Sequence, residues 1–229
     1  LAQQKVTGSV MKSVKIGVVG LGRFGRLHAL TANGLAEAEL VALVARRSSS
    51  LEAVARELPG VRGWTSLDDA VLESSAEAWI VACTTAAHVD VTRKLLAAGK
   101  SVLLEKPIAD DLESSRSLAP WVRPDSANLM LGHIVLFNSE FQQLHEEVAR
   151  RGPIVYLDSV RHRPADTVAK VPGENPLCAA MVHDLYMAQV LTQRMEPATF
   201  HARYHRTSQG EVDLAVARLQ WPDGAIGSF

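Results

Sequence analysis

The sequence predicts an α/β fold: an N-terminal, doubly wound parallel sheet followed by an α+β domain with an open mixed or antiparallel sheet. Three observations carry the prediction. Short β-branched runs alternate with helical stretches from Val14 to Glu105, the pattern of parallel strands joined by right-handed crossovers. After Gly132 a long amphipathic helix and a run of alternating strands take over. The 229 residues, 47% apolar and 21% charged, suffice for two modest domains, which we place at 1–132 and 133–229.

Each element has a local reason. VKIGVV (14–19) is a short β-branched strand, GLGRFG (20–25) a glycine turn, and RLHALTANGL (26–35) a helix. AELVALVA (38–45) is the second strand, and SLEAVARELPG (50–60) a helix closed by Pro59 and Gly60. In SLDDAVLESS (66–75), Ser66 caps a helix and Asp69 completes a capping box. AEAWIVACT (76–84), AAHVDVTRKLLAAGK (86–100) and SVLLE (101–105) continue the alternation. NLMLGHIVLF (128–137) reads as a further strand and SEFQQLHEEVARRG (139–152) as a helix ending at its glycine. IVYLDSVRHR (154–163) reads as a strand and LCAAMVHDLYMAQVLTQR (177–194) as a helix. Three strand-like segments follow: ATFHARYHRT (198–207), EVDLAVARLQW (211–221) and AIGSF (225–229). The second of these carries apolar groups on both faces, Leu214 and Val216 against Ala215 and Ala217, so one face seeks cover from another copy of the chain.

Composition narrows the partners. Lys and Arg number 24 against 25 Asp and Glu, net −1, with no basic stripe, which argues against nucleic acid and anionic membranes. Two cysteines, Cys83 and Cys178, lie in apolar surroundings without metal-ligand spacing, so a reducing, cytoplasmic setting and no metal site are expected. His201 and His205 share a strand face, but with no acid or thiol in the neighbouring sequence they too are read as no metal site. No apolar stretch is long enough to span a membrane, and LAQQKVTGSV (1–10) lacks the core of a signal peptide; it is either a natural extension or an added leader before Met11. Phe229 falls inside a strand just after the turn PDG, which points to missing C-terminal sequence.

Gly20-Leu21-Gly22-Arg23-Phe24-Gly25 has G-x-G-x-x-G form between a strand and a helix. Gly20 allows the tight turn, Gly22 the approach of a pyrophosphate, Gly25 close packing of helix on strand, and the helix N-terminus faces the anion. This is the dinucleotide-binding signature of a Rossmann domain. The second strand ends Val44-Ala45-Arg46-Arg47-Ser48, where an acid would otherwise bind the ribose hydroxyls. Arg46, Arg47 and Ser48 instead suit a ribose 2′-phosphate, so NADP is expected over NAD, with a solvated basic turn as the plain alternative. Glu105 and Lys106 follow a buried strand at the sheet's carboxyl edge, where ligands of such sheets bind. There Lys106 is placed for proton transfer with Glu105 orienting it, and Pro107 stiffens the chain beyond. An exposed Glu-Lys pair after an edge strand is the alternative.

GLGRFGRLH, ACTTAAH, AAGKSVLLEKP and HDLYMAQVL, in this order and spacing, resemble the Gfo/Idh/MocA family of NAD(P)-dependent oxidoreductases over almost the whole chain. The resemblance implies a Rossmann domain, a second domain whose open sheet often makes oligomers, and hydride transfer to or from the hydroxyl or ketone of sugars, inositols or nucleotide sugars. By it, Lys106 stands near the reacting carbon, Cys83 and Thr84 replace the usual Thr-Pro, and His88 lies close to the cofactor. His183, followed by Asp184, matches the active-site histidine on the second-domain helix. Two departures stand out: Ala179 replaces an aspartate one helical turn before His183, and Tyr186 replaces an acid. By the same resemblance, His133 and Asn138 either face the substrate or cap and pack the following helix. Arg161 and Arg163 share a strand face and either recognise an anionic substrate group or are solvated. The alternative to an enzyme is a cofactor-binding protein without turnover that controls a partner; Ala179 motivates it and Lys106 argues against it.

Overall fold

Strand and helix alternate as expected through the first half of the chain, and the two faces of each strand are divided between two sets of helices. The structure is a computed structural model describing residues 13–163, 175–193 and 196–229. The leader 1–10 and Arg194 lie outside these residues. The described residues form two units, one ending at Gly132 and the other beginning at His133.

The first unit contains β1 (Val14–Val19), α1 (Arg23–Gly34), β2 (Ala38–Val44), α2 (Ser48–Ala55), β3 (Gly63–Trp64), α3 (Leu67–Glu73), β4 (Ala78–Val81), α4 (Thr85–Ala97), β5 (Ser101–Leu104), α5 (Leu112–Arg116) and β6 (Leu129–Leu131). All six strands are parallel in the order β3-β2-β1-β4-β5-β6, so the chain reverses direction across the sheet between β1 and β4. Successive strand residues alternate faces. Val18, Leu43 and Ile80 pack with Ala29 of α1 and Val54 of α2, whereas Val19, Val44, Val81 and Leu104 pack with Ala70 of α3 and Leu95 of α4. Gly17 is needed because Trp79, fully buried and its register partner, lies over it: a Cβ on Gly17 would come within 2.5 Å of the indole. Ser66 caps α3 by accepting from the Asp69 amide at 3.2 Å.

The second unit contains α6 (Ser139–Arg151), β7 (Tyr156–Asp158), a π-helical turn (Leu177–Met181) running into α7 (Val182–Thr192), then β8 (Thr199–Arg206), β9 (Val212–Gln220) and β10 (Ile226–Ser228). Its sheet is mixed, in the order β7-β10-β9-β8, with β10 parallel to β7 and the other pairs antiparallel. Ala188 of α7 packs on Trp221, Ala225 and the inward residues Leu157 and Leu219. On the opposite face Leu214 and Val216 are 56% and 48% exposed, with Ile226 and Tyr156 on the same side by register.

Several boundaries differ from the sequence reading. The strand expected over 128–137 stops at Leu131, because Gly132 ends its pairing with β5 and Ile134–Phe137 winds into a 3₁₀ turn. The strand expected over 154–163 is only Tyr156–Asp158, since β10 offers it three partners. The two-residue strand β3 is too short for periodicity to reveal. No helix among the described residues is long and apolar enough to cross a membrane. Nor do three or more His, Cys, Asp or Glu side chains among them gather to hold a metal ion.

Candidate active site

The carboxyl edge of the first sheet is a continuous hydrogen-bonded row. Beyond the strand ends, Ala45 donates to Trp64, Gly20 to Val44, Ala82 to Val19, Glu105 to Val81 and Gly132 to Leu104, all at 2.8–3.1 Å between backbone atoms. Sequence-distant residues are thereby fixed side by side. Arg46, Leu21, Cys83 and Lys106 each come one residue past this row.

The glycine turn lies at the reversal between β1 and β4. Gly20 has φ +87°, and a Cβ there would fall 2.4 Å from the Cα of Cys83. A Cβ on Gly25 would fall 1.6 Å from the Gly20 carbonyl oxygen, so α1 can meet the turn only through glycine. Gly22 differs: it is the exposed N-cap of α1, and a Cβ on it would meet nothing within 4 Å. No side chain caps α1 and no acid stands in its first turn, so the amides of Arg23 and Phe24 face outward beside two exposed side chains. An open glycine beneath uncapped helix amides fits the pyrophosphate of a dinucleotide.

At the end of β2, Arg46, Arg47 and Ser48 are all exposed. Arg46 is near enough to act on Cys83: burial pushes the Cys83 thiol up, and the guanidinium opposes it. Thr84 is the exposed N-cap of α4. His88, 2% exposed, sets Nδ1 2.8 Å from the Pro107 carbonyl oxygen and Nε2 3.2 Å from that of Cys83. It therefore ties the β4–α4 turn to the segment after Lys106.

Glu105 does not stand free beside Lys106. Its Oε1 lies 2.7 Å from His28 Nε2 on α1, and its Oε2 accepts from the Lys106 amide at 3.2 Å. Burial raises the carboxyl, but the hydrogen bond and charge of His28, with the amide and ammonium of Lys106, outweigh it and hold Glu105 below the usual carboxylate range. The Lys106–Pro107 peptide bond is cis. His28 was legible as part of GLGRFGRLH, but nothing in its local sequence joined it to a residue 77 positions away.

In the second unit, α7 carries His183, half-buried, and Asp184, 5% exposed. Arg161 makes a two-pronged pair with Asp184, Nε to Oδ2 at 3.0 Å and Nη2 to Oδ1 at 2.8 Å. Arg163 Nη2 donates to the Ala179 carbonyl at 2.9 Å. Both arginines lie past the end of β7, so what turns them toward the helix is these bonds and not the strand alternation expected from sequence. His133 is 6% exposed; its ring stacks on Tyr186 at 3.8 Å and meets His183 edge-on at 6.3 Å. Its stacking partner thus belongs to α7 and not to the following helix, α6. Asn138 is the N-cap of α6 by position, exposed, with no side-chain capping bond. Ala179 lies in the π-helical turn that runs into α7, four residues before His183. His205 Nδ1 lies 2.7 Å from Asp213 Oδ1 on the neighbouring strand, an acid that hairpin pairing supplies and sequence proximity concealed.

Residues 14–133 match the oxidoreductase family Gfo/Idh/MocA, described by its NAD-binding Rossmann fold. The chain belongs to this family. Inositol 2-dehydrogenase of Rhizobium meliloti (strain 1021) is 30% identical over 185 residues, covering 78% of this chain and 55% of that protein. The scyllo-inositol 2-dehydrogenase (NAD(+)) of Bacillus subtilis (strain 168) is 28% identical over 231 residues, covering 93% of this chain and 66% of the relative. Among solved structures, apo scyllo-inositol dehydrogenase from Lactobacillus casei superposes with a TM-score of 0.85 at 25% identity, over 96% of this chain and 68% of that one. The chain thus spans between about half and two thirds of the length of these relatives.

Proposed function

We propose that the protein is a nicotinamide-dependent dehydrogenase or reductase that exchanges hydride with a secondary alcohol or ketone of a sugar-like substrate. The observation that carries the reading is the edge row itself, in which Lys106 and the glycine turn flank the end of β4 on either side and Glu105 links Lys106 to α1 through His28. Family membership and the inositol dehydrogenases among the relatives support it. Gly22 and the α1 amides hold the cofactor's pyrophosphate, Arg23 and Phe24 flank it, and Cys83 and Thr84 border its path. When bound, the nicotinamide supplies the hydride acceptor or donor. Lys106 binds the reacting oxygen and takes or returns its proton, and His183 on α7 is the other residue to which the reading gives a part in proton transfer. Asn138 and Arg163 are the remaining proposed substrate contacts; Arg161 and His133 serve by shaping α7.

Within this reading NADP is preferred to NAD, as Arg46, Arg47 and Ser48 stand exposed at the end of β2 with no carboxylate among them. Fluorescence titration of both cofactors tests it. Tighter NADP binding, weakened by about 1–3 kcal/mol in Arg46→Asp, is expected from the loss of a charged hydrogen bond. Equal affinities in the wild type would sink it. We place the protein in the cytoplasm, in keeping with two free thiols, and expect a homo-oligomer through the outward sheet face of Leu214, Val216 and Ile226. Light scattering that shows a monomer at micromolar concentration would refute the oligomer.

The test of the reaction is Lys106→Ala. Turnover on a panel of inositols, sugars and nucleotide sugars falls by about 10²–10⁴ while cofactor affinity holds, the scale of a general acid-base group. No cofactor reduction across the panel, with no change on Lys106→Ala, would favour the second reading, a cofactor-binding regulator, for which the Ala179 departure speaks.

A further inference from the structure

We propose that His28 is a positioning residue for Lys106: acting through Glu105, it fastens the helix that opens at the cofactor cradle to the peptide that carries the lysine. The catalytic meaning of this brace rests on the dehydrogenase reading above, but its existence is measurable without turnover.

The geometry is a chain of two contacts. His28 Nε2 holds Glu105 Oε1 at 2.7 Å, and Glu105 Oε2 accepts the Lys106 amide at 3.2 Å. The His28 and Glu105 side chains are 26% and 18% exposed, so water competes weakly for either contact. A third wall completes the seat. Gly132, at the end of β6, approaches so closely that a Cβ on it would lie 3.1 Å from Glu105 Oε2 and 3.3 Å from its Cα. The carboxylate is therefore held by α1, by its own next amide and by the β6 end, and each of its oxygens has a partner within the protein. It is spent on holding the edge and is not the group that meets substrate.

The charged groups acting on Glu105 are His28 from α1 and Lys106 from the segment after β5; β6 brings only the uncharged Gly132. Half-burial alone would favour the neutral carboxyl, and a neutral Glu105 would accept the Lys106 amide more weakly. The His28 bond keeps the carboxylate charged and aimed. The first turn of α1 faces the cofactor's anion and its second turn, through His28, fixes the lysine peptide. One rigid helix thus sets the spacing between the two functions.

The experiment uses the full chain, carboxyl-¹³C glutamate and ¹⁵N labelling, with Glu105→Gln and Lys106→Arg to assign the signals. In the wild type, Glu105 titrates below the ordinary glutamate range and the Lys106 amide is protected from exchange. In His28→Leu the Glu105 midpoint moves up and Lys106 amide exchange quickens by about tenfold, the scale of one charge-assisted hydrogen bond. His28→Gln, which restores a donor without a charge, recovers much of the amide protection but leaves the Glu105 midpoint raised. If His28→Leu does not fold, His28→Asn, too short to reach Glu105, gives the same comparison. A Glu105 midpoint and a Lys106 exchange rate that do not differ between wild type and these variants overturn the proposal. Where turnover is found, kcat falls in His28→Leu, cofactor KM is unchanged, and His28→Gln rescues in part; a kcat that does not move likewise overturns the positioning role. Absence of turnover in the wild type as well as in every variant, with the spectroscopic shifts present, refutes the dehydrogenase reading and leaves the brace standing.

Discussion

Gly22 and Gly25 belong to one motif, yet the structure separates what each is for, and alanine at each position measures the difference. At Gly25 the added Cβ would lie 1.6 Å from the Gly20 carbonyl oxygen, a backbone atom that cannot rotate away. Overpacking costs about 1–3 kcal/mol where side chains can yield, so a contact with backbone belongs at or above the upper end. For a chain of this size each kcal/mol lowers the melting temperature by about 2–4 °C, so Gly25→Ala should melt about 6–12 °C early. At Gly22 the added Cβ would meet nothing within 4 Å, and φ is −72°, which alanine adopts freely. Gly→Ala at a compatible site is neutral or stabilising by about 0.4–1 kcal/mol, so its melting temperature should hold or rise. On the proposed reading its methyl group instead occupies the space through which the cofactor's pyrophosphate reaches the α1 amides. Losing one charged hydrogen bond, about 1.5–3 kcal/mol, corresponds to a cofactor affinity about 10- to 150-fold weaker. Thermal melts without cofactor and fluorescence titration with NADPH read the two quantities separately. Equal thermal losses in both variants, or wild-type affinity in Gly22→Ala, would refute the division of roles.

Other expectations follow from the same geometry. Arg161→Leu leaves Asp184, 5% exposed, without its two-pronged partner; since Arg161 itself is partly solvated, the cost should be about 1–3 kcal/mol, read as an earlier thermal transition, and an unchanged melt would show that the pair is idle. The depressed carboxyl of Glu105 makes a contribution that is fully present above its unfolded-state pKa and lost as pH falls through the folded one, so the stability gap between wild type and Glu105→Gln should be open at neutral pH and close in acid. A gap that widens on acidification would reverse the assigned sign. Gly17→Val, which drives a side chain into the buried Trp79 ring, should prevent folding or lower the melting temperature more than Gly25→Ala, and circular dichroism decides.

Much of the first unit was legible because its signals are local. The glycine turn, the Ser66 cap and the alternation of VKIGVV, AELVALVA and AEAWIVACT each need only neighbouring residues, and β1, β2 and β4 appear where they were expected. Lys106 at the carboxyl edge was legible for the same reason, since a parallel order makes the strand ends line up. What escaped depends on partners far along the chain. Whether 154–163 is a strand of three residues or ten is decided by how much of β10 lies beside it, and β10 comes some seventy residues later. The pairing of His28 with Glu105 and of His205 with Asp213 arises from sheet and helix packing that no spacing encodes. His88 was expected near the cofactor from its place after the β4–α4 turn, but a buried ring facing two carbonyls has a structural task that sequence position alone does not distinguish.

The Ala179 departure is the feature that speaks most directly against turnover. The relay argument assumed an α-helix, in which a residue four positions before His183 lies one turn away on the same face. Residues Leu177–Met181 wind instead as a π-turn, and the Ala179 carbonyl accepts from Arg163. In this chain His133 meets His183 edge-on, and Tyr186, standing where an acid was expected, backs His133 by stacking. The absence of an aspartate at 179 speaks for a protein without turnover and Lys106 speaks for an enzyme, and the Lys106→Ala comparison is the measurement that separates the two.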